Sequence, residues 1–252
     1  MTYSIVAKDP STGAVGIAVA SRFFAAGSIV PNVRREVAFA SQAFCNPIWG
    51  LEGASRLAAG ESAEAVLADF VGRDQGQAIR QAHCIGLSGE IAAHTGADCV
   101  PWCGHASAEH VSVAGNMLTG PEVVDETLRT YQQMADAPFF DRLIAAMEAG
   151  ERAGGDKRGK QAAGIIIHQG QDYPWLDIRA DDHADPLAEL RRLEAVSQER
   201  LRHFMVGMPT NENFSGLQNR APIDEAMRQA ELERLSRGEP SRSFATEMAS
   251  GG

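Results

Sequence analysis

Residues 1–21, MTYSIVAKDPSTGAVGIAVAS, contain two short apolar runs separated by a polar stretch. Tyr3 to Ala7 forms the first run and Ala14 to Ala20 the second. The residues between them include proline and glycine, and such a cluster between two β-rich runs is typical of a hairpin. The sequence therefore predicts two antiparallel strands at the very start of the chain, with a threonine at position 2.

The next 180 or so residues continue in pairs of strands and pairs of helices. A third strand is predicted at Val37 to Gln42, and Asn46-Pro47 is typical of a helix N-cap followed by proline. The pattern then predicts helices at 48–60 and 63–71, strands at 81–87, 90–96 and 109–118, helices at 121–134 and 138–152, strands at 162–169 and 175–181, and a helix at 186–203. Paired strands favour antiparallel sheets over a parallel, doubly wound one. We therefore predict an α+β fold, a four-layer α-β-β-α sandwich of two antiparallel sheets flanked by helix pairs.

The composition changes near residue 205, which predicts a domain at 1–204 and a C-terminal extension at 205–252. We expect the extension to contain a loop-like stretch, a polar helix at 223–238 and a flexible tail at 239–252. Its helix carries a weak apolar stripe at Ile223, Met227, Ala230 and Leu235. Such a stripe packs on the parent domain or on a neighbouring subunit. We expect a homo-oligomer, a dimer or higher.

The overall charge and hydropathy exclude several classes of partner. The formal net charge is −10, which argues against nucleic acid because phosphate binding needs a basic surface. No apolar run is long enough to cross a membrane, and the first residues lack the features of a signal peptide. We therefore expect a cytoplasmic protein whose four cysteines are reduced thiols.

Two stretches contain metal-ligand residue types. Cys99, Cys103, His105 and His110 lie close together, but their spacing does not match a zinc finger. Buried thiols and loop histidines are the preferred interpretation. In the stretch RADDHADP at 179–186, the acidic residues and the histidine form either a weak cation site or the cap of the next helix. We predict no metal and no cofactor.

Five stretches resemble, as a set and in order, one bacterial family. They are TYSIVAKDPSTGAVGIAVAS, VAFASQAFCNP, VAGNMLTGPEVV, EAGERAGGDKRGKQ and RADDHADPLAELRRL. The family is the domain of unknown function DUF1028, and the resemblance covers about residues 2 to 200. It implies membership of the N-terminal-nucleophile (Ntn) hydrolase superfamily and the sandwich fold of proteasome β-subunits. The resemblance does not indicate which reaction the family catalyses.

The resemblance implies a catalytic role for Thr2. An N-terminal threonine carries a hydroxyl nucleophile and a primary amine whose pKa, roughly 7.7–8, suits a general base at neutral pH. Methionine before a small residue is commonly removed in cells, so loss of Met1 would expose Thr2 without a pro-peptide. The structural alternative is that a β-branched residue simply suits a strand. With the resemblance, we predict that Thr2 is the nucleophile of a hydrolase of small amide bonds.

Two further residues are predicted to be catalytic. Asp156, in the stretch GGDKRGKQ, is placed to orient the α-ammonium group, and Asn116 is placed to polarise a substrate carbonyl. Their structural alternatives are a polar turn after a helix and a residue at a strand end. The same turn holds Arg158, which is predicted to bind a substrate carboxylate.

Three more residues are predicted to bind substrate. Ser21 ends the second strand, and Gln42 and Asn46 lie near the end of the third. In proteasome-like proteins the position of Ser21 is acidic and a lysine lies on the following strand, whereas the lysines here are Lys8, Lys157 and Lys160. Arginine does not replace that lysine as a proton acceptor. This departure makes proteolysis doubtful and leaves an inactive, ligand-binding Ntn fold as the alternative function.

Overall fold

The computed structural model describes residues 2–245 of the chain, and two antiparallel sheets form its centre. Six strands pair in the order β10-β9-β2-β1-β8-β7 and four in the order β3-β4-β5-β6. The strands are β1 (Thr2–Asp9), β2 (Ala14–Ser21), β3 (Pro31–Arg34), β4 (Val37–Ala43), β5 (Arg80–Ile85), β6 (Ile91–Thr95), β7 (Gly104–Ala108), β8 (Val111–Asn116), β9 (Ala162–His168) and β10 (Leu176–Ala180).

Helices cover the outer face of each sheet. They are α1 (Ala26–Ile29), α2 (Pro47–Ala58), α3 (Ala63–Arg73), α4 (Glu122–Gln133), α5 (Phe139–Arg152), α6 (Pro186–Glu199), α7 (Leu201–Met205) and α8 (Ala221–Ser236). Helices α2 and α3 pack on the four-stranded sheet, and α4 and α5 pack on the six-stranded sheet. Strands β1 and β2 contact β4 across the middle. These layers confirm the predicted α+β sandwich of two antiparallel sheets.

Strand β1 is buried on both faces, because alternate side chains pack against the helices and against the second sheet. The Tyr3 hydroxyl donates to the Met147 carbonyl oxygen of α5 at 2.8 Å, so Tyr3 faces the helices. Ser4 and Val6 face the second sheet, as expected from the period of two in a strand. Val6 belongs to an apolar cluster between the sheets, whose other members are Val15, Ile17, Val19, Val30, Ala38, Ala40 and Ile85.

The predicted hairpin and the predicted helix caps are confirmed. Strands β1 and β2 pair from Tyr3 and Ala20 to Asp9 and Ala14, and Gly13 takes the positive φ of 71° that their connection requires. The Asn46 side chain accepts a hydrogen bond from the Ile48 amide at 3.0 Å, at the start of α2.

The helix predicted at 186–203 is divided into α6 and α7, and three short elements are not predicted from the sequence. The short strands β3 and β7 and the short helix α1 were not expected, and β7 lies in the stretch predicted as a loop with histidines. These segments are rich in small or polar residues, which have weak strand preference. Pairing defines the strands instead, because β3 bonds to β4 and β7 to β8.

The chain divides into two compact units within α6, between Leu190 and Arg191. The boundary predicted at 204/205 stays a prediction. In the second unit, α8 begins and ends two residues before the predicted helix. Its apolar stripe is only partly covered, with Ile223 and Met227 half-buried and Leu235 exposed. Across residues 2–245, the helices are all too short or too polar to cross a bilayer.

Candidate functional site

Thr2 begins β1, between β2 and β8 in the six-stranded sheet. Its backbone pairs with Asn116 of β8, and its Oγ1 lies 3.2 Å from the Ser21 Oγ at the end of β2. The residue is 6% exposed. Two of the predicted site residues therefore lie directly beside the predicted nucleophile.

The loop after α5 crosses the beginning of β1. Gly154 and Gly155 have positive φ values of 125° and 53°, which glycine adopts at little cost. They turn the chain so that Asp156 forms an isolated bridge with Leu118, just beyond β8. The Asp156 Oδ2 accepts a hydrogen bond from the Arg22 amide, just beyond β2, at 2.7 Å. Because β1 lies between β2 and β8, Asp156 is held at the end where Thr2 begins.

Asp156 is buried, and its two shortest hydrogen bonds come from backbone amides. Besides the Arg22 amide, the Arg158 amide donates to its Oδ1 at 2.8 Å. The Arg158 guanidinium is 3.4 Å from the Oδ2, and that side chain is about 40% exposed. The two amide donors stabilise the carboxylate at short range, and the Arg158 guanidinium adds one longer, charged hydrogen bond. The Arg158 side chain is thus only weakly engaged by the protein.

Asn116 contacts Thr2 through its side chain as well as its backbone. Its Nδ2 donates to the Thr2 carbonyl oxygen at 3.4 Å and to the Gln81 Oε1 at 3.0 Å. An amide nitrogen has two hydrogens, so both are used. To donate to a substrate, Asn116 has to release the longer bond to Thr2.

A buried polar network continues from Asn116 between the sheets. The Gln42 Nε2 donates to the Gln81 Oε1 at 2.8 Å, and Ser4 Oγ donates to the Gln42 Oε1 at 2.7 Å. Ser4 Oγ is also 2.8 Å from the His83 Nε2, and the His83 Nδ1 is 3.0 Å from the Ser112 Oγ. All six of these side chains, Asn116 included, are almost completely buried. Buried polar groups that are fully paired fix a unique arrangement.

The network fixes the protonation of His83. The hydroxyl hydrogen of Ser4 goes to Gln42, so the His83 Nε2 has to donate to Ser4 and its Nδ1 has to accept from Ser112. Burial of the ring, and then the nearby His105, lower the pKa of His83 from 6.5 to about 3. His83 is therefore a neutral imidazole at physiological pH.

Asn46 has a local structural role. Its Oδ1 caps α2, and its Nδ2 donates to the Asp74 Oδ2 at 3.1 Å. Both ends of the amide are thus occupied away from Thr2, and substrate binding by Asn46 stays a prediction that this geometry does not support. Gln42, in contrast, belongs to the network that reaches Asn116.

Ser4 and Cys45 are two alternative nucleophile types in this part of the chain, and neither suits catalysis. Ser4 is completely buried, and its hydroxyl is held by Gln42 and His83. Burial raises the pKa of the Cys45 thiol, which keeps it in the poorly nucleophilic thiol form. Thr2 has its hydroxyl at the end of a central strand, on the side where Asp156 is held.

The cysteine and histidine stretch is built into the fold. Cys99 is buried, and its thiol donates to the Arg80 carbonyl oxygen at 3.2 Å. The His105 Nδ1 lies 2.9 Å from the Thr95 Oγ1. All four cysteines are free. Within residues 2–245, no three side chains of the ligating types come close enough to hold a metal ion.

Comparison with known proteins agrees with the resemblance read from the motifs. The model of the family of unknown function DUF1028 matches residues 2–190. The chain belongs to this family. A solved structure titled protein SPO2555 from Silicibacter pomeroyi, family-model DUF1028, is 27% identical, with a TM-score of 0.78. The match covers 86% of this chain and 99% of that one. No curated protein matches the chain significantly.

The DUF1028 match ends where the first compact unit ends, at Leu190. It therefore includes Thr2, Asn116 and Asp156. Gln42 and Asn116 of the polar network were predicted as site residues from the sequence, whereas Gln81 and His83 were not. The signal was present, because these residues alternate along one predicted strand. A polar face on a strand is usually taken to face solvent, whereas here it faces the other sheet.

Proposed function

We propose that this DUF1028 protein is an Ntn-type amidohydrolase that uses Thr2 as its nucleophile after removal of Met1. The observation that carries the proposal is the position of Asp156, held between the residues that follow β2 and β8 and thus across the start of β1. An α-amine on Thr2 lies at this end of the strand. A carboxylate there orients the amine and stabilises its charged form.

The chemistry follows from the groups at this end of the sheet. The Thr2 Oγ attacks the amide carbonyl carbon while the α-amine takes the hydroxyl proton. The same proton passes to the leaving nitrogen as the C–N bond breaks, which leaves a threonyl ester. Water then hydrolyses the ester with the amine again as base, so the products are a carboxylic acid and an amine.

Asn116 is the proposed donor to the developing oxyanion. Its Nδ2 has a long bond to the Thr2 carbonyl and a shorter one to Gln81, so a substrate oxygen competes only with the weaker bond. Gln81 keeps the amide group oriented during this exchange. A single donor of this kind typically contributes about 10²–10³ to kcat.

An inactive ligand-binding protein with the same fold is the second candidate. The observation in its favour is that Asn116 already uses both amide hydrogens within the protein. In that case the chain would bind small molecules at the Thr2 end of the sheets without turning them over.

Variants at Thr2 separate the two candidates. The wild type should release amine from at least one member of a panel of small amides, and Thr2→Ser should retain part of that activity. Thr2→Ala should lose it while it keeps the wild-type circular dichroism spectrum. The matched control is Thr130→Ala on α4, at a position outside the site, and it should behave as wild type. Equal turnover by Thr2→Ala would refute the proposal.

A further inference from the structure

The loop that carries Asp156 is locally basic in an acidic protein. Lys157 and Arg158 follow the aspartate directly, and two of the chain's three lysines lie between residues 156 and 161. The net charge of the chain is −10, so this is a local departure. The backbone amides of Arg22 and Arg158 already satisfy Asp156. The Arg158 guanidinium adds only one longer hydrogen bond to it, at 3.4 Å.

Arg158 has the geometry to bind an anion from solvent. The closest contact of its guanidinium to Asp156 is 3.4 Å, and much of the side chain is exposed. A guanidinium has five N–H donors in a planar fork that matches a carboxylate. Most of these donors remain available beside the start of β1.

Exposed aromatic side chains follow β2 and β4, the two strands whose C-terminal ends lie near Thr2. Phe23 and Phe24 come directly after Ser21 and Arg22 and are 56% and 61% exposed. Phe44 comes after Gln42 and Ala43 on the other sheet and is 71% exposed. The Arg80 guanidinium covers the Phe44 ring at 5.4 Å, so the ring is held in place.

The strand directions place these aromatics on two sides of Thr2. Val6 shares a cluster with Ala38 and Ala40, and Ser4 bonds Gln42, so β4 runs toward the start of β1 and Phe44 follows at the level of Thr2. Phe23 lies two residues beyond Ser21, which contacts Thr2. At these positions the exposed rings are available to contact an apolar group of a ligand that reaches Thr2.

We infer that the ligand at this end of the sheets is an amide that carries both a carboxylate and a bulky apolar group, as in an N-acylated aromatic amino acid. Arg158 binds the carboxylate, and Phe23 and Phe44 contact the apolar group. The inference rests on the proposed function for the reaction: hydrolysis of such an amide consumes one water and releases the acid and the free amino acid. Recognition of the ligand does not depend on turnover.

Binding to the Thr2→Ala variant tests the ligand class separately from the chemistry. Isothermal titration calorimetry should show that N-acetyl-L-phenylalanine binds at least about tenfold more tightly than its uncharged amide, because a charged hydrogen-bond pair contributes that much. N-acetylglycine should also bind more weakly. Equal binding of N-acetyl-L-phenylalanine and its amide, or no binding of either, would overturn the inference.

Second substitutions in the Thr2→Ala background locate the contacts. Arg158→Gln should abolish the preference for the carboxylate, and Phe44→Ala should abolish the preference for phenylalanine over glycine. The matched controls are Arg129→Gln on α4 and Phe214→Ala in the second unit, which should change neither preference. Unchanged preferences in Arg158→Gln and Phe44→Ala would refute the assignment.

The two ideas fail in different ways. If the Thr2→Ala variant shows both preferences but the wild type releases amine from no member of the amide panel, N-acetyl-L-phenylalanine included, the ligand class stands and the hydrolase proposal falls. If the wild type hydrolyses neutral amides as well as charged ones through Thr2, the hydrolase proposal stands and the ligand class falls.

Discussion

Replacing His83 with glutamine tests whether the network between the sheets holds a neutral histidine. In the unfolded chain a histidine has a pKa of about 6.5, whereas burial lowers the pKa of His83 to about 3 in the folded protein. Below pH 6.5 the unfolded state therefore binds one more proton than the folded state. The free energy of unfolding falls as the pH drops toward 3, and the contribution of His83 is fully present only above 6.5.

The size of the effect follows from the shift. Below the unfolded-state pKa of about 6.5, the extra proton lowers the free energy of unfolding by about 1.4 kcal/mol per pH unit. Lowering the pH from about 7.5 to 5 should therefore remove about 2 kcal/mol through His83 alone. Urea unfolding monitored by tryptophan fluorescence measures this, because Trp49, Trp102 and Trp175 all lie in the first unit. The wild type should lose about 2 kcal/mol more than His83→Gln over this range.

The comparison depends on the pH dependence and not on the absolute stability of the variant. Burial also lowers the pKa of His105 and His168, and both contribute equally in the two proteins. His203→Gln, in the second unit, is the matched control and should keep the wild-type pH dependence. Identical pH dependence in wild type and His83→Gln would show that His83 is not held neutral, and the assigned network would be wrong.

Three further predictions concern packing, the network and the loop. Gly53→Ala should lower the free energy of unfolding by about 1–3 kcal/mol, because the added Cβ would lie 2.5 Å from an aromatic ring atom. The control is Gly72→Ala, where the Cβ would meet open space, and it should be neutral or stabilising. Urea unfolding compares the two variants. Gln81→Ala should cost about 2–3 kcal/mol because it leaves buried amide groups unpaired, whereas the exposed Gln133→Ala should cost little, and equal losses would contradict the network. Asp156→Asn should keep the fold and reduce kcat at least about tenfold in an amide-release assay; an unchanged kcat would remove Asp156 from the mechanism.

The strands and helices with strong local signals could be predicted from the sequence. The hairpin at residues 2–21 and the cap at Asn46-Pro47 are local in sequence, so propensity and turn chemistry are sufficient. Strand β7, at 104–108, has no such signal, because its small and polar residues become a strand only by pairing with β8. Tertiary pairing overrides propensity there.

The candidate site could be predicted only in part. The element order already brings one group of residues to the same end of the six-stranded sheet. The group consists of the strand-end residues Thr2, Ser21 and Asn116 and of Asp156 in the loop after α5. The role of Gln81 in holding Asn116 depends on which face of β5 meets the other sheet. An alternating strand does not reveal whether its polar face meets water or a second sheet.

The most direct test of the central claim is mass spectrometry of the N-terminal peptide after the purified protein has been exposed to a β-lactone, which acylates an activated hydroxyl. We expect a peptide that begins at Thr2 and carries the acyl group on that residue, and no adduct in Thr2→Ala. A peptide that still begins at Met1, or an adduct that persists in Thr2→Ala, would contradict it.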